Sequence, residues 1–115
     1  MKRIAMGLVA FALLLLAPSA RAQDKKAERT WKAKCASCHG EDGKAQTDQG
    51  KKMAVRDMTT PAWQKEFSDD QIRKAILDGI KTERDGKKKE MDPYKDKLKP
   101  EQIDALIPYI RSLAK

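Results

Sequence analysis

Within a chain of 115 residues, two thiols and an imidazole fall inside five consecutive positions, Cys35-Ala36-Ser37-Cys38-His39. Residues i, i+3 and i+4 share one face of a helix, so a single turn presents Cys35, Cys38 and His39 together. Each thiol can add to a vinyl group of a porphyrin to form a thioether, and the imidazole can take one axial position on the iron. Cys35 and Cys38 are therefore candidate covalent attachment points for one haem c per chain. His39, the only histidine of the sequence, is the candidate iron ligand.

Other chemistries use the same residue types. A Cys-x-x-Cys pair can form a redox-active or structural disulfide, or half of a zinc site. Zinc needs four ligands, and two cysteines with one histidine would have to recruit a carboxylate. A thioredoxin-like site needs strands around its helix, and no strand-rich segment flanks Cys35. Haem attachment is the reading the motif favours.

Residues 1–22 read as a secretory leader. Lys2 and Arg3 open it, an apolar run of 14 residues extends from Ile4 to Ala17, and Ala20-Arg21-Ala22 supplies a small-x-small cleavage pattern. A spanning helix needs roughly 20 apolar residues, so cleavage is favoured over the competing reading of an uncleaved tether. Export places the protein in the periplasm, an oxidising space where neighbouring free thiols pair. Thioether formation removes that fate. Residues 23–115 then form one small domain. Three of the 25 basic residues and none of the 17 acidic ones lie in the leader, which leaves a mature charge of +5.

The elements that must position the motif are helical. Ala27, Trp31 and Cys35 recur every fourth residue, so a first helix from near Asp24 runs into the motif. Residues 40–60, with Gly40, Gly43 and Gly50, read as loop, and Thr60-Pro61 starts a short helix. Ser68-Asp69-Asp70-Gln71 is a capping box opening a helix with Ile72, Ala75, Ile76 and Ile80 on its buried face and Gly79 as a stop. Residues 81–99 read as charged and irregular. A last helix from Pro100 to Ala114 buries Ile103, Leu106, Ile107, Ile110, Leu113 and Ala114, turns Glu101, Asp104 and Arg111 outward, and is kinked by Pro108.

Over residues 24–115 the chain resembles a small bacterial monohaem class I cytochrome c. Ala27 and Trp31 match that family's small and aromatic positions before the first cysteine, and Leu106 and Tyr109 match positions of its final helix. The resemblance implies an all-α fold of three to five helices wrapped around one covalently attached haem. It also implies a methionine ligand in a loop before the last helix, and Met91, in Met91-Asp92-Pro93-Tyr94, fits that place. Met53 and Met58 read as core filler. The proline whose carbonyl orients the histidine in the family is missing, Lys51 standing in the corresponding region, so another backbone carbonyl is expected to accept the second N–H of His39.

His39 and Met91 as axial ligands leave no open coordination position, and the available chemistry is one-electron exchange. No second histidine, nucleophile–base pair or phosphate-binding glycine loop points to an enzyme or to a small-molecule substrate. The expected function is a periplasmic electron carrier, or alternatively the haem subunit of a larger oxidoreductase complex. Further rivals are a haem protein with an open sixth position and a haem-free disulfide or metal module. Residues 81–99 carry a net charge of +3, set by eight bases and five acids, which suits an acidic or membrane-bound redox partner and equally suits an ordinary solvated lysine-rich face. Nucleic acid is excluded by export and by the interleaved acids. A monomer is expected.

The mature chain has only five aromatic residues, Trp31, Trp63, Phe67, Tyr94 and Tyr109, too few for a full core in so small a domain. Folding is therefore expected to depend on the cofactor. The double variant Cys35→Ala, Cys38→Ala should show no cooperative thermal transition by circular dichroism, and a sharp cofactor-free melt would overturn this.

Overall fold

The computed structural model describes residues 20–115, with side chains at 24–83 and 85–115. Most of the expected leader, residues 1–19, lies outside the described residues. Helix α1 (Ala20–Lys34) starts four residues ahead of Asp24 and includes the Ala20-Arg21-Ala22 motif. One turn, α2 (Ala36–His39), continues it after a break at Cys35. Then come α3 (Asp48–Lys52), α4 (Pro61–Glu66), α5 (Asp69–Asp78), strands β1 (Ile80–Arg84) and β2 (Lys87–Met91), and α6 (Pro100–Ser112). Six helical segments are thus seen among the described residues, more than the three to five expected, because α2 and α3 are single turns.

Local sequence explains most starts and stops. Thr60 caps α4, accepting from the Trp63 N–H, with Pro61 next to it. In α5 the Ser68 hydroxyl accepts from Gln71 N at 3.1 Å while Gln71 Oε1 accepts from Ser68 N at 2.8 Å. Gly79 ends α5 at φ +73°, a conformation that disfavours any side chain. In α6, Gln102 Oε1 accepts from the Lys99 N–H. Pro108 lies on the exposed side of α6, where the Asp104 carbonyl that loses its donor can turn to water.

The core is a crossing of α1 on α6. Trp31, Ile103 and Leu106 are the largest fully buried side chains, and the Trp31 and Tyr109 rings pack 5.7 Å apart. Burying such a side chain contributes about 1.5–3 kcal/mol. Ile72, Ile76, Leu98, Ile107 and Ile110 extend the same cluster. Arg111, expected to point outward, instead ties α6 to the α4–α5 junction: its guanidinium donates to Asp69, to the Gln64 carbonyl and to the Phe67 carbonyl.

Three expectations are corrected. Residues 80–91 are not irregular: they form an antiparallel hairpin in which Ile80 pairs with Met91 and Arg84 with Lys87. Asp85 and Gly86 close it, both at positive φ (54° and 75°), the backbone of a type I′ turn. Ile80 is 40% exposed rather than part of the buried face of α5, because Gly79 ends the helix and Ile80 starts a strand. Within the expected loop 40–60, α3 forms with Thr47 as its cap, the hydroxyl accepting from Gly50 N at 2.9 Å.

Gly50, a helix breaker by residue type, is a contact point. A Cβ at this position would stand 2.5 Å from the carbonyl oxygens of both Cys38 and Ala45. Those oxygens are backbone and cannot swing away. Gly50→Ala is expected to cost about 1–3 kcal/mol through overpacking, read as a lower denaturant midpoint with an unchanged slope.

Candidate haem site

The attachment motif is shaped by the break at Cys35. The N–H groups of Cys38 and His39 both turn to the Cys35 carbonyl, at 3.3 and 3.0 Å, and Gly40 N reaches Ala36 O at 2.8 Å. Cys38 thereby abandons the Lys34 carbonyl, its usual acceptor in a continuing helix. Gly40, at φ +79°, turns the chain away. Three bonds then pin the turn: Trp31 Nε1 donates to Gly40 O at 3.0 Å, Thr47 Oγ1 donates to Cys38 O at 3.1 Å, and Ala45 N donates to His39 O at 2.8 Å.

A cavity of about 600 Å³ opens beside this turn, and Cys35, Cys38 and His39 lie on its wall with Met91. Ile72 and Ile76 of α5, Leu106 and Ile110 of α6, and Trp63 and Phe67 around α4 give it an apolar lining, with Arg56 and Gln49 among its polar groups. Such a volume matches sites for cofactors and other small molecules. It is also where the core that this sequence could not fill with its own aromatics is missing.

Electrostatics favour the same use. Burial, with a smaller contribution from Cys38, pushes the Cys35 thiol up to about 11. Reactive cysteines and zinc thiolates need the opposite shift. Neither cysteine is in a disulfide. Among the described residues no group of three His, Cys, Asp or Glu side chains is placed to hold a metal ion. Burial also lowers the His39 pKa, which keeps the ring neutral, the form that offers a lone pair to a metal.

One expectation about His39 is not met. Its Nδ1 is buried with no hydrogen-bond partner among the described residues, where a backbone acceptor was expected. The ring is placed instead by packing, 5.7 Å from the Trp31 ring. A buried nitrogen without a partner costs about 1–3 kcal/mol, and no acceptor among the described residues offsets that cost for Nδ1. The motif and the apolar cavity it borders together fit a haem.

All three candidate methionines border the cavity, so lining alone does not separate Met91 from Met53 and Met58. Sequence reasoning missed Trp63, Phe67 and Arg56 as lining residues, because α4 is too short to show a stripe. It also missed Tyr94, whose hydroxyl donates to Lys34 O at 2.9 Å.

Comparison with known proteins bears on the whole arrangement. The model of the family described as Cytochrome c matches residues 25–114. No curated protein matches the chain. Among solved structures, the KustC0563 c-type cytochrome is 31% identical with a TM-score of 0.64, over 77% of this chain and 98% of that one. A tyrosine-to-phenylalanine mutant of the same protein gives 31% identity and a TM-score of 0.62, over 76% of this chain and 98% of that one. The family match takes in the attachment motif, the cavity walls and the helix crossing alike, and the chain belongs to the cytochrome c family, as a small monohaem member whose cofactor is covalently bound haem c.

Proposed function

We propose that the protein is an exported, periplasmic electron carrier in which Cys35 and Cys38 hold the haem as thioethers and His39 and Met91 are its axial ligands. The observation that carries this reading is the convergence of these four residues on one apolar cavity. When bound, the haem supplies one-electron exchange between ferrous and ferric iron. The residues of the chain fix and shield it. Trp31, Thr47 and Gly50 hold the attachment turn, and Ile72, Ile76, Leu106 and Ile110 exclude water. With no substrate position left open, the protein carries electrons rather than catalysing a reaction. Export rests on the leader composition of residues 1–22; among the described residues, no helix is long and apolar enough to cross a membrane.

Met91 is supported over the other methionines by the element that carries it. Met58 is buried in the core, its Cγ 3.1 Å from where a Gly43 side chain would start, close to the attachment segment. Met53 caps α3, whose Gly50 packs on the Cys38 carbonyl. Met91 alone belongs to the hairpin, apart from the segments that hold His39. A thioether ligand is soft and neutral and raises the reduction potential. Met91→Ala should abolish the methionine-to-iron absorption of the ferric protein and lower its potential in a redox titration. If both persist, the ligand is another residue.

The hairpin also supports an acidic redox partner. Cross-strand partners share a face and neighbours along a strand alternate. On one face Lys81 stands opposite Glu90 and Glu83 opposite Lys88, so that face balances itself. The face shared with Met91 includes Ile80, Thr82, Lys87 and Lys89 and has no carboxylate. That face of the hairpin therefore carries net positive charge, which would steer an acidic protein surface toward it. Electron exchange with an acidic redox protein should slow as salt rises and the screening length falls from about 30 Å at 0.01 M to about 8 Å at 0.15 M. Lys87→Glu should slow it more than Lys88→Glu on the opposite face, and equal effects would count against the assignment.

A further inference from the structure

Two helices end beside the cavity, and each leaves carbonyls without helical donors. At the end of α5, the Ile76 and Leu77 carbonyls accept from the N–H groups of Tyr94 and Lys95, at 2.8 and 3.3 Å. At the end of α1, the Lys34 carbonyl, freed by the break at Cys35, accepts from the Tyr94 hydroxyl at 2.9 Å. Tyr94 therefore binds both helices at once, three residues after Met91. Its own carbonyl accepts from Lys97 and Leu98 N–H, at 3.0 and 2.9 Å, so the loop is folded around it. The Lys97 ammonium stands 5.4 Å over its ring and 3.6 Å from Asp92. Burial, and to a lesser degree the Asp92 carboxylate, raises the Tyr94 pKa, so the hydroxyl keeps its proton and remains a donor.

The Lys34 bond differs in kind from the other two. The backbone bonds to α5 join the loop to the helix it follows closely in the chain. The hydroxyl bond joins it to the residue immediately before Cys35, the first attachment point. We propose that Tyr94 is a positioning residue for the sixth ligand: its hydroxyl bond to Lys34 fixes the Met91 loop to the attachment helix, and Met91 leaves the iron only when that bond opens. The proposal rests on the assignment of Met91 as the ligand.

The test is the binding of imidazole to the ferric holoprotein, which requires the methionine to move aside and reads that motion without any partner protein. Tyr94→Phe removes the hydroxyl and keeps the ring. It should bind imidazole about three- to tenfold faster, equivalent to about 0.7–1.4 kcal/mol at 1.4 kcal/mol per tenfold, the range of one hydrogen bond. An unchanged rate overturns the proposal. Met91→Ala separates the two levels. If it binds imidazole far faster than the unsubstituted protein while Tyr94→Phe does not, only the role of Tyr94 fails. If Met91→Ala binds at the unsubstituted rate, the ligand assignment fails and takes the proposal with it.

Discussion

Trp31 is the side chain on which both the fold and the site depend. Its ring fills the centre of the α1–α6 crossing and touches Tyr109 on one side and His39 on another. Its single polar atom donates to the Gly40 carbonyl, in the residue after His39. An indole has one donor and a large apolar body, and it is satisfied when buried only if that donor finds an acceptor. Here the acceptor is the backbone of the turn that must be held still. Packing energy from the core is thereby coupled directly to the placement of the Cys35–His39 turn.

The rest of the attachment turn is fixed by small residues and backbone groups. Thr47 uses one hydroxyl twice, capping α3 through Gly50 N and reaching the Cys38 carbonyl. Gly50 lets α3 lie directly on that carbonyl. Gly79 performs the equivalent service for the methionine segment, since a side chain there would run into the Met91 carbonyl. Gly50 and Gly79 are thus each a point at which two backbones meet, one at the attachment turn and one at the methionine segment.

What could be read from the sequence was what periodicity and chemistry encode locally. The Cys35–His39 motif, the Ala27–Trp31–Cys35 stripe, the Ser68–Gln71 capping box and the apolar stripe of α6 all lie in strong, short-range patterns. The hairpin was hidden because its strands are rich in lysine and glutamate, residues with weak strand preference and no apolar alternation. The Asp85-Gly86 pair was its one clear cue, since that dipeptide favours a two-residue hairpin turn. Helix α3 was hidden because a glycine in its interior argues against a helix, and only the close approach to Cys38 explains it. Arg111 and Tyr94 show the same limit: their partners lie 42 and 60 residues away, beyond any local pattern.

The ends of α1 and α5 have a further electrostatic meaning. Peptide dipoles give the C-terminus of a helix a partial negative charge. Lys34, Cys35 and Ile76 all border the cavity, so the last turns of α1 and α5 both lie along its wall. A positive charge within reach of either turn would be stabilised by about 0.3–1 kcal/mol. The backbone at these two ends thus favours the more positive of two charge states beside it, before any charged side chain contributes.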